Sequence, residues 1–176
     1  MKKTRLFMVI LALLMLCTML ALTSCGDEDS GVVVDPNATS VPLQTSAYFF
    51  KSGDAKITLF MTMSDLKSAL GEPNATYENP SCGYVGMDVF YQYSGFELTI
   101  NEIDGTQVVT DIFIVDDTVS IPEGLKIGDS EEKISQLIGE KYTKDGSAYN
   151  FVDGNTLLQI LVEDGAVKSI EYKPAN

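Results

Sequence analysis

MTMSDLKSALGEP at residues 61–73 and IGDSEEKISQLIG at residues 127–139 are the two stretches from which the fold is predicted. In both stretches the apolar residues fall at steps of three and four, which is the spacing of one face of a helix. They are Met63, Leu66, Ala69 and Leu70 in the first stretch and Ile134, Leu137 and Ile138 in the second. Helices of about ten residues are too short to be stable alone, so each must pack its apolar face against another element.

The two predicted helices also share their end signals. Thr62 is the predicted N-cap of the first helix, with Asp65 three residues later as in a capping box. Ser130 is the predicted N-cap of the second helix. Gly71 and Gly139 are predicted to end the helices, because glycine adopts the left-handed conformation that stops a helix.

Segments of alternating polarity follow each helix, which indicates strands. After the first helix they are residues 87–93, 96–101 and 108–115, and after the second they are residues 148–152, 156–163 and 167–172. Residues 48–51 and 56–60 are predicted to form a leading hairpin. The pairs Ser94-Gly95 and Asp104-Gly105 are typical of tight turns between antiparallel strands.

This weak internal repeat predicts an α+β fold, with two tandem units of a helix plus an antiparallel meander forming one two-layer domain. The predicted organisation has four parts. Residues 1–24 are a lipoprotein signal peptide, residues 25–46 are the lipidated Cys and a flexible tether, residues 47–119 are the first αβββ unit, and residues 120–176 are the second αβββ unit.

The N-terminal leader decides the predicted location. Residues 1–5 are cationic, residues 6–22 carry no charge, and the small residues Thr23-Ser24 precede Cys25, which is the layout of an export signal. The small pair before Cys25 resembles the lipobox of bacterial lipoproteins. The resemblance implies cleavage before Cys25 and a diacylglycerol on its thiol, and hence a membrane anchor on the extracytoplasmic face. The alternative is an uncleaved transmembrane helix, for which the apolar run is at the lower limit of length.

Composition excludes several classes of function. The chain has 12 Lys+Arg, 25 Asp+Glu and no His, with a net charge of −13, and removal of the basic leader makes it more negative. Such a surface repels nucleic acid, so no nucleic-acid partner is expected. Without His there is no Ser-His-Asp triad, no Cys-His dyad and no imidazole metal site.

Two further patterns resemble chemical motifs. Ser64 to Lys67 and Ser130 to Lys133 match Ser-x-x-Lys, but the supporting elements of penicillin-binding enzymes are missing and both serines fall at helix starts. Asp116-Asp117 and residues 153–155 are acidic turns without calcium-loop spacing, so turn chemistry is favoured there. No catalytic residue, cofactor or metal is therefore predicted.

The candidate binding loop contains Tyr77, Pro80, Cys82 and Tyr84. Exposed together, its aromatic rings would suit a peptide, glycan or protein surface. The alternative is that the rings fill the core, because the chain has no Trp. Cys82 has no disulfide partner if Cys17 leaves with the leader and Cys25 is acylated, and a lone Cys is most often a small buried apolar residue.

The pattern of a polar cap, a helix, Leu-Gly-x-Pro at residues 70–73 and a meander resembles the module of small outer-membrane assembly lipoproteins of the SmpA and OmlA type. Two modules in tandem are similar to the β-lactamase inhibitor protein architecture. Residues 80–84, 93–98, 116–119 and 122–124 resemble small surface lipoproteins of low-GC Gram-positive bacteria. These resemblances imply a fold and a location, and no functional residue is transferred from them.

The leading functional hypothesis is a lipid-anchored extracytoplasmic module that is not an enzyme and binds a protein or cell-wall partner. The alternative is a proteinaceous inhibitor of a secreted hydrolase, which an exposed loop fit for a hydrolase cleft would favour. An enzyme is the third hypothesis, and a deep pocket holding paired carboxylates with raised pKa values would favour it.

Overall fold

The structure, a computed structural model, describes residues 46–175. The predicted signal peptide, Cys25 and the predicted tether up to residue 45 lie outside the described residues. Within residues 46–175, none of the helices is long and apolar enough to cross a lipid bilayer.

Ten strands and two helices make up this part of the chain. In order they are β1 (Phe50–Ser52), β2 (Ala55–Ile57), α1 (Met63–Leu70), β3 (Ala75–Pro80), β4 (Met87–Tyr93), β5 (Phe96–Ile103), β6 (Thr106–Ile114), α2 (Glu132–Leu137), β7 (Thr143–Asp145), β8 (Ala148–Asp153), β9 (Thr156–Glu163) and β10 (Ala166–Pro174). Strands β1 and β2 form a separate antiparallel hairpin.

The other strands form one antiparallel sheet in the order β3-β4-β5-β6-β10-β9-β8-β7. Each strand from β3 to β6 pairs with the next in sequence, and so does each strand from β7 to β10. These two runs of four consecutive strands, β3–β6 and β7–β10, join where β6 pairs with β10. There Ile114 lies opposite Ile170 and Ile112 lies opposite Tyr172. The last strand of each run therefore lies in the middle of the sheet.

The predicted α+β class, with two helix-plus-meander units in two layers, is wrong. Residues 46–175 are mostly β, with 49% strand and 11% helix, and the two helices in this part of the chain are only 8 and 6 residues long. The predicted strands after each helix are confirmed, but β3 and β7 were not predicted. Every residue of β3 and β7 is exposed, so neither strand carries an apolar alternation by which the sequence could reveal it.

The N-terminal signals of the two helices differ in outcome. Thr62 is confirmed as the N-cap of α1, because its Oγ1 accepts a hydrogen bond from the Asp65 backbone N–H at 3.2 Å. Ser130 as the N-cap of α2 is wrong, since α2 begins at Glu132 after Glu131, without a capping side chain. Ser130 instead forms an isolated antiparallel bridge with Ala166 of β10, which ties the start of α2 to the sheet.

The core lies on one face of the sheet. Alternate residues of the central strands are fully buried there and pack with Leu66 of α1, Ile134 of α2 and the β1–β2 hairpin. From the central strands these residues are Leu98, Ile112, Ile114, Leu158, Ile160 and Ile170. We call the opposite side of the sheet the open face. Both described helices contribute to the core side.

The turn between β4 and β5 supplies a test of packing against the segment that links the two strand runs. Gly95 has a φ of 85°, and a Cβ there would lie 2.7 Å from both Thr118 Oγ1 and Val119 Cγ1. Gly105 also has a positive φ, 75°, but a Cβ there meets nothing within 4 Å. An L residue would have a strained backbone at either position, and only at position 95 would its Cβ also clash with neighbouring side chains.

We expect Gly95→Ala to lower the free energy of unfolding by about 1–3 kcal/mol more than Gly105→Ala, because overpacking adds to the strain of a positive φ. Urea denaturation of both variants measures the difference. Equal losses in the two variants would contradict the close approach of residues 118 and 119 to this turn.

Candidate functional site

An open groove of about 430 Å³ lies on the open face, above β4, β5, β6 and β10. Residues 81–84 form one of its walls, and they belong to the loop of residues 81–86 that connects β3 to β4. Its apolar lining includes Tyr84, Phe90 and Phe113, and its charged lining includes Glu97, Asp111 and Glu171 with Lys173. We call this feature the groove.

Strand alternation explains why these residues share one face. Successive side chains of a strand point to opposite sides, so Phe113 lies on the open face between the buried Ile112 and Ile114. In the register of the sheet, Phe113 lies opposite Glu97 of β5 on one side and Glu171 of β10 on the other. Pairing across the junction of the two strand runs therefore places the Glu171 carboxylate of β10 beside β6.

A bulge shapes the floor of the groove. Thr99 is opposite Asp111 whereas Ile100 is opposite Val109, so Thr110 is an extra residue on β6. The Thr110 hydroxyl donates a hydrogen bond to Asn101 Oδ1, and both side chains are buried. Asn101 in turn donates through Nδ2 to Asp88 Oδ1 at 2.5 Å. The floor is thus a satisfied polar network between β4, β5 and β6.

Asp111 and Glu171 form a carboxyl pair in the groove. Burial raises the pKa of Asp111 most, and together with the negative charge of Glu171 and a hydrogen bond shared with its side chain it brings the pKa to about 8. Lys173 opposes this rise in pKa, and Glu97 adds to it. A carboxyl group with such a pKa carries a proton for much of its time near neutral pH, which relieves the repulsion between the pair.

The lysine of the groove is already engaged. Lys173 Nζ lies 2.7 Å from Glu171 Oε2 and donates to Gln159 Oε1 at 2.8 Å. Gln159 Nε2 donates to Asn150 Oδ1 at 2.8 Å, which extends the polar contacts to β8. The lysine therefore pairs mainly with Glu171 and Gln159.

An aromatic stack borders the groove on the β3 side. The rings of Tyr77 and Phe90 are stacked, with centroids 4.6 Å apart and planes 9° from parallel. The Tyr77 hydroxyl donates to Glu97 Oε2 at 2.9 Å, and Gln92 Nε2 donates to the same oxygen at 3.1 Å. Glu97 is therefore a well-paired carboxylate, and the Tyr77 ring is held over Phe90.

The structure places the predicted binding residues in two elements. Tyr77 and Pro80 lie on β3, while Cys82 and Tyr84 lie in the loop of residues 81–86. Tyr84 is half-buried and lines the groove, and burial together with the charges of Asp88 and Asp111 raises its pKa. The interpretation of Cys82 as a buried apolar residue is wrong, since Cys82 is exposed at the rim of the groove.

Local hydrogen bonds give the loop its shape. Ser81 Oγ accepts from the backbone N–H groups of Gly83 and Tyr84 at 3.2 and 3.0 Å. The Ser81 N–H donates to the Gly86 carbonyl at 3.0 Å and closes the loop. At its tip Val85 is 94% exposed, which presents an apolar side chain directly to solvent.

Sequence reasoning missed Asp111, Glu171 and Lys173 as site residues. Each lies within a strand of otherwise alternating or apolar character. In such a strand a charged residue at a solvent-facing position is expected and does not by itself indicate a site. The available signal was an acid next to an isoleucine in each of two strands, Asp111 before Ile112 and Glu171 after Ile170. The signal becomes a site only when β6 and β10 are known to be neighbours.

In residues 46–175 no three Cys, Asp or Glu side chains come close enough together to hold a metal ion. Asp116, weighed as an acidic turn residue, accepts a hydrogen bond from the Thr118 backbone N–H at 2.8 Å. That contact is ordinary turn chemistry.

Comparison with known proteins yields structural neighbours only. No family model and no curated protein matches the chain. One similar structure is an extracellular protein containing a SCP domain from Bacillus anthracis, with a TM-score of 0.49 and 14% identity over 66% of this chain and 44% of that one. Another is a DUF4309 family protein (YjgB) from Bacillus subtilis, with a TM-score of 0.39 and 17% identity over 65% of this chain and 78% of that one. The match thus spans less than half the length of the SCP-domain protein, and neither likeness assigns a role to a groove residue.

The carboxyl pair should make stability depend on pH. Because the pKa of Asp111 is raised from 3.8 to about 8, the folded state holds this proton more tightly than the unfolded state. The resulting stabilisation is complete below about pH 4 and is lost as the pH rises through about 8. Asn at this position cannot ionise.

We expect Asp111→Asn to gain stability relative to the wild type by about 1–3 kcal/mol between pH 5 and pH 9, at 1.36 kcal/mol per pKa unit and allowing for partial exposure. Urea denaturation at both pH values measures the change, with the exposed Asp117→Asn as the control. A pH dependence of Asp111→Asn identical to that of the wild type would show that the pKa of this carboxyl is not raised.

Proposed function

We propose that the protein is a non-catalytic extracytoplasmic binding module and that the groove is its binding surface for a protein or cell-wall partner. The observation that carries the proposal is an aromatic and charged groove on the one sheet face that the core does not occupy. An open groove of this kind accepts an extended or protruding ligand without a conformational change of the sheet.

Exposed apolar side chains support this assignment of the binding surface. Tyr77, Val85, Met87 and Phe113 are 41%, 94%, 39% and 37% exposed. Phe113 lines the groove, Val85 lies at the tip of the loop of residues 81–86, and Tyr77 and Met87 lie on the neighbouring strands β3 and β4. Tyr, Phe and Met are enriched where proteins bind one another. Single exposed apolar residues are common on protein surfaces, but a cluster of them marks an interaction site.

The proposed location rests on the leader and on Cys25. Diacylglycerol on Cys25 would hold the chain at the membrane, with residues 25–46 as the link to the folded part. In this scheme the acidic chain is repelled by anionic headgroups, which favours partners away from the bilayer surface. One structural neighbour is described as extracellular, which agrees with this location.

Cys25→Ala should leave an unprocessed precursor or release the protein from the membrane, because the thiol that carries the lipid is removed. Cell fractionation and the mass of the intact protein measure the outcome, with Cys17→Ala as the matched control. Unchanged mass and unchanged membrane retention in Cys25→Ala would rule out the lipid anchor.

An inhibitor of a secreted hydrolase is the second candidate. The loop of residues 81–86 favours it, because Ser81 braces the backbone while Val85 projects into solvent. A braced loop loses little conformational entropy when it enters a cleft. This candidate uses the same side of the protein as the groove.

The carboxyl pair is the observation that favours an enzyme. Paired acids whose pKa values are pushed apart serve as general acids and bases in many hydrolases. The groove is open to solvent, however, and catalytic electrostatics are strongest in sites from which water is excluded. For that reason we propose binding rather than catalysis for Asp111 and Glu171.

A photo-crosslinker attached to Cys82 should capture the partner on intact cells, because this exposed thiol lies at the rim of the groove. The matched control carries Cys82→Ser and Leu137→Cys, which moves the label to an exposed position on α2. Capture from Cys82 alone would support the groove as the binding surface. Equal capture from both positions, or none from Cys82, would contradict it.

The identity of the captured partner separates the two candidates. If the captured partner is a secreted hydrolase and its activity falls on addition of the full-length protein, the inhibitor would be established in place of the binding module. A captured partner without hydrolase activity would support the binding module.

A further inference from the structure

We infer that the groove binds a basic segment of a partner polypeptide, with a Lys or Arg side chain placed between its aromatic wall and its carboxyl pair. The inference rests on the proposed function of the groove and names the chemistry of the partner.

The groove has an excess of negative charge. Asp88, Glu97, Asp111 and Glu171 line it, and Lys173 is its one lining cation among the described residues. The whole chain carries −13, so a cationic partner is also attracted over a longer range. Charge complementarity at the groove therefore selects a basic ligand over an acidic one.

Existing contacts show where the ligand's charge is needed. Glu97 accepts hydrogen bonds from Tyr77 and Gln92, and Asp88 accepts one from Asn101. Glu171 has Lys173 at 2.7 Å. The carboxyl group of Asp111 lies beside the like-charged Glu171. A cation from the ligand would therefore relieve the repulsion between these two groups.

The rings beside the pair suit a long cationic side chain. Phe113 follows Asp111 on the same face of β6, and Tyr84 is close enough for the charge of Asp111 to raise its pKa. Lys and Arg have apolar stems that pack on rings and cationic heads that reach carboxylates. Cation–π attraction between such a head and the Tyr84 or Phe113 ring adds to the ion pair.

Protonation of Asp111 would then oppose binding. The titratable and charged groups facing it are Glu97 from β5, Glu171 and Lys173 from β10, Tyr84 from the loop and Asp88 from β4. At low pH Asp111 is neutral and offers a cation little attraction. As the pH rises through the pKa of Asp111 the carboxylate forms, so the affinity for a basic ligand should rise.

The test is titration of a fluorescent pentalysine peptide into the full-length protein in neutral detergent. Asp111→Asn/Glu171→Gln removes the carboxyl pair, and the control Glu163→Gln/Asp164→Asn removes the same number of carboxyl groups from the exposed end of β9 and its turn. We expect the groove variant to weaken binding at least about tenfold and the control at most about twofold, because close pairing is worth more than screened surface charge.

The pH dependence gives a second readout. Wild-type affinity should rise several-fold between about pH 6 and pH 9, and Asp111→Asn alone should abolish that rise. Circular dichroism of each variant establishes that it is folded. If the double variant does not fold, the pH dependence of Asp111→Asn still tests the inference.

Three outcomes would overturn the inference. Equal losses in the groove variant and the control would mean that pentalysine responds to net charge alone. A flat pH dependence in the wild type would remove Asp111 from the site. Binding of a neutral N-acetylglucosamine oligomer in place of pentalysine would assign the groove to a glycan. In the third case crosslinking from Cys82 would still support the groove, and only the basic partner would be lost.

Discussion

The pairing of β6 with β10 is the interaction on which the other features depend. Two runs of four strands end in these strands, and their backbone hydrogen bonds turn two small sheets into one. On one side of the junction Ile112, Ile114 and Ile170 are buried in the core. On the other side Asp111, Phe113 and Glu171 line the groove. One register therefore produces both the packing that stabilises the fold and the surface that is free to bind.

The groove shows how backbone geometry creates unusual electrostatics. Two acids on neighbouring strands are brought together because alternation gives them the same face, and the extra residue Thr110 offsets β6 beside β5. Lys173 and the network through Asn101 and Thr110 satisfy most of the polar groups around them. Burial and, after it, repulsion from Glu171 raise the pKa of Asp111.

Binding is consistent with the way the aromatic residues are divided. Phe96, Phe151 and Tyr172 are buried in the core, so the fold does not need the rings on the open face for its own packing. Tyr77 and Phe90 are held by stacking, and Tyr84 is held by the loop that Ser81 braces. Rings that are fixed in place but partly exposed bind with a small loss of side-chain entropy, which is what a recognition surface requires.

The sequence by itself determined the local features: the cap at Thr62, the apolar faces of both helices, the turns, and the strands whose residues alternate in polarity. These features depend on residues a few positions apart, so a short stretch contains the whole signal. The sequence also predicts the export leader and the lipid on Cys25. Only the tertiary structure decided that β3 and β7, whose residues are all exposed, form the two edge strands of the sheet. It also decided that Asp111 and Glu171 are neighbours. Both depend on backbone pairing between distant segments, and backbone groups are the same in every residue, so the side-chain pattern of the sequence could not specify that pairing.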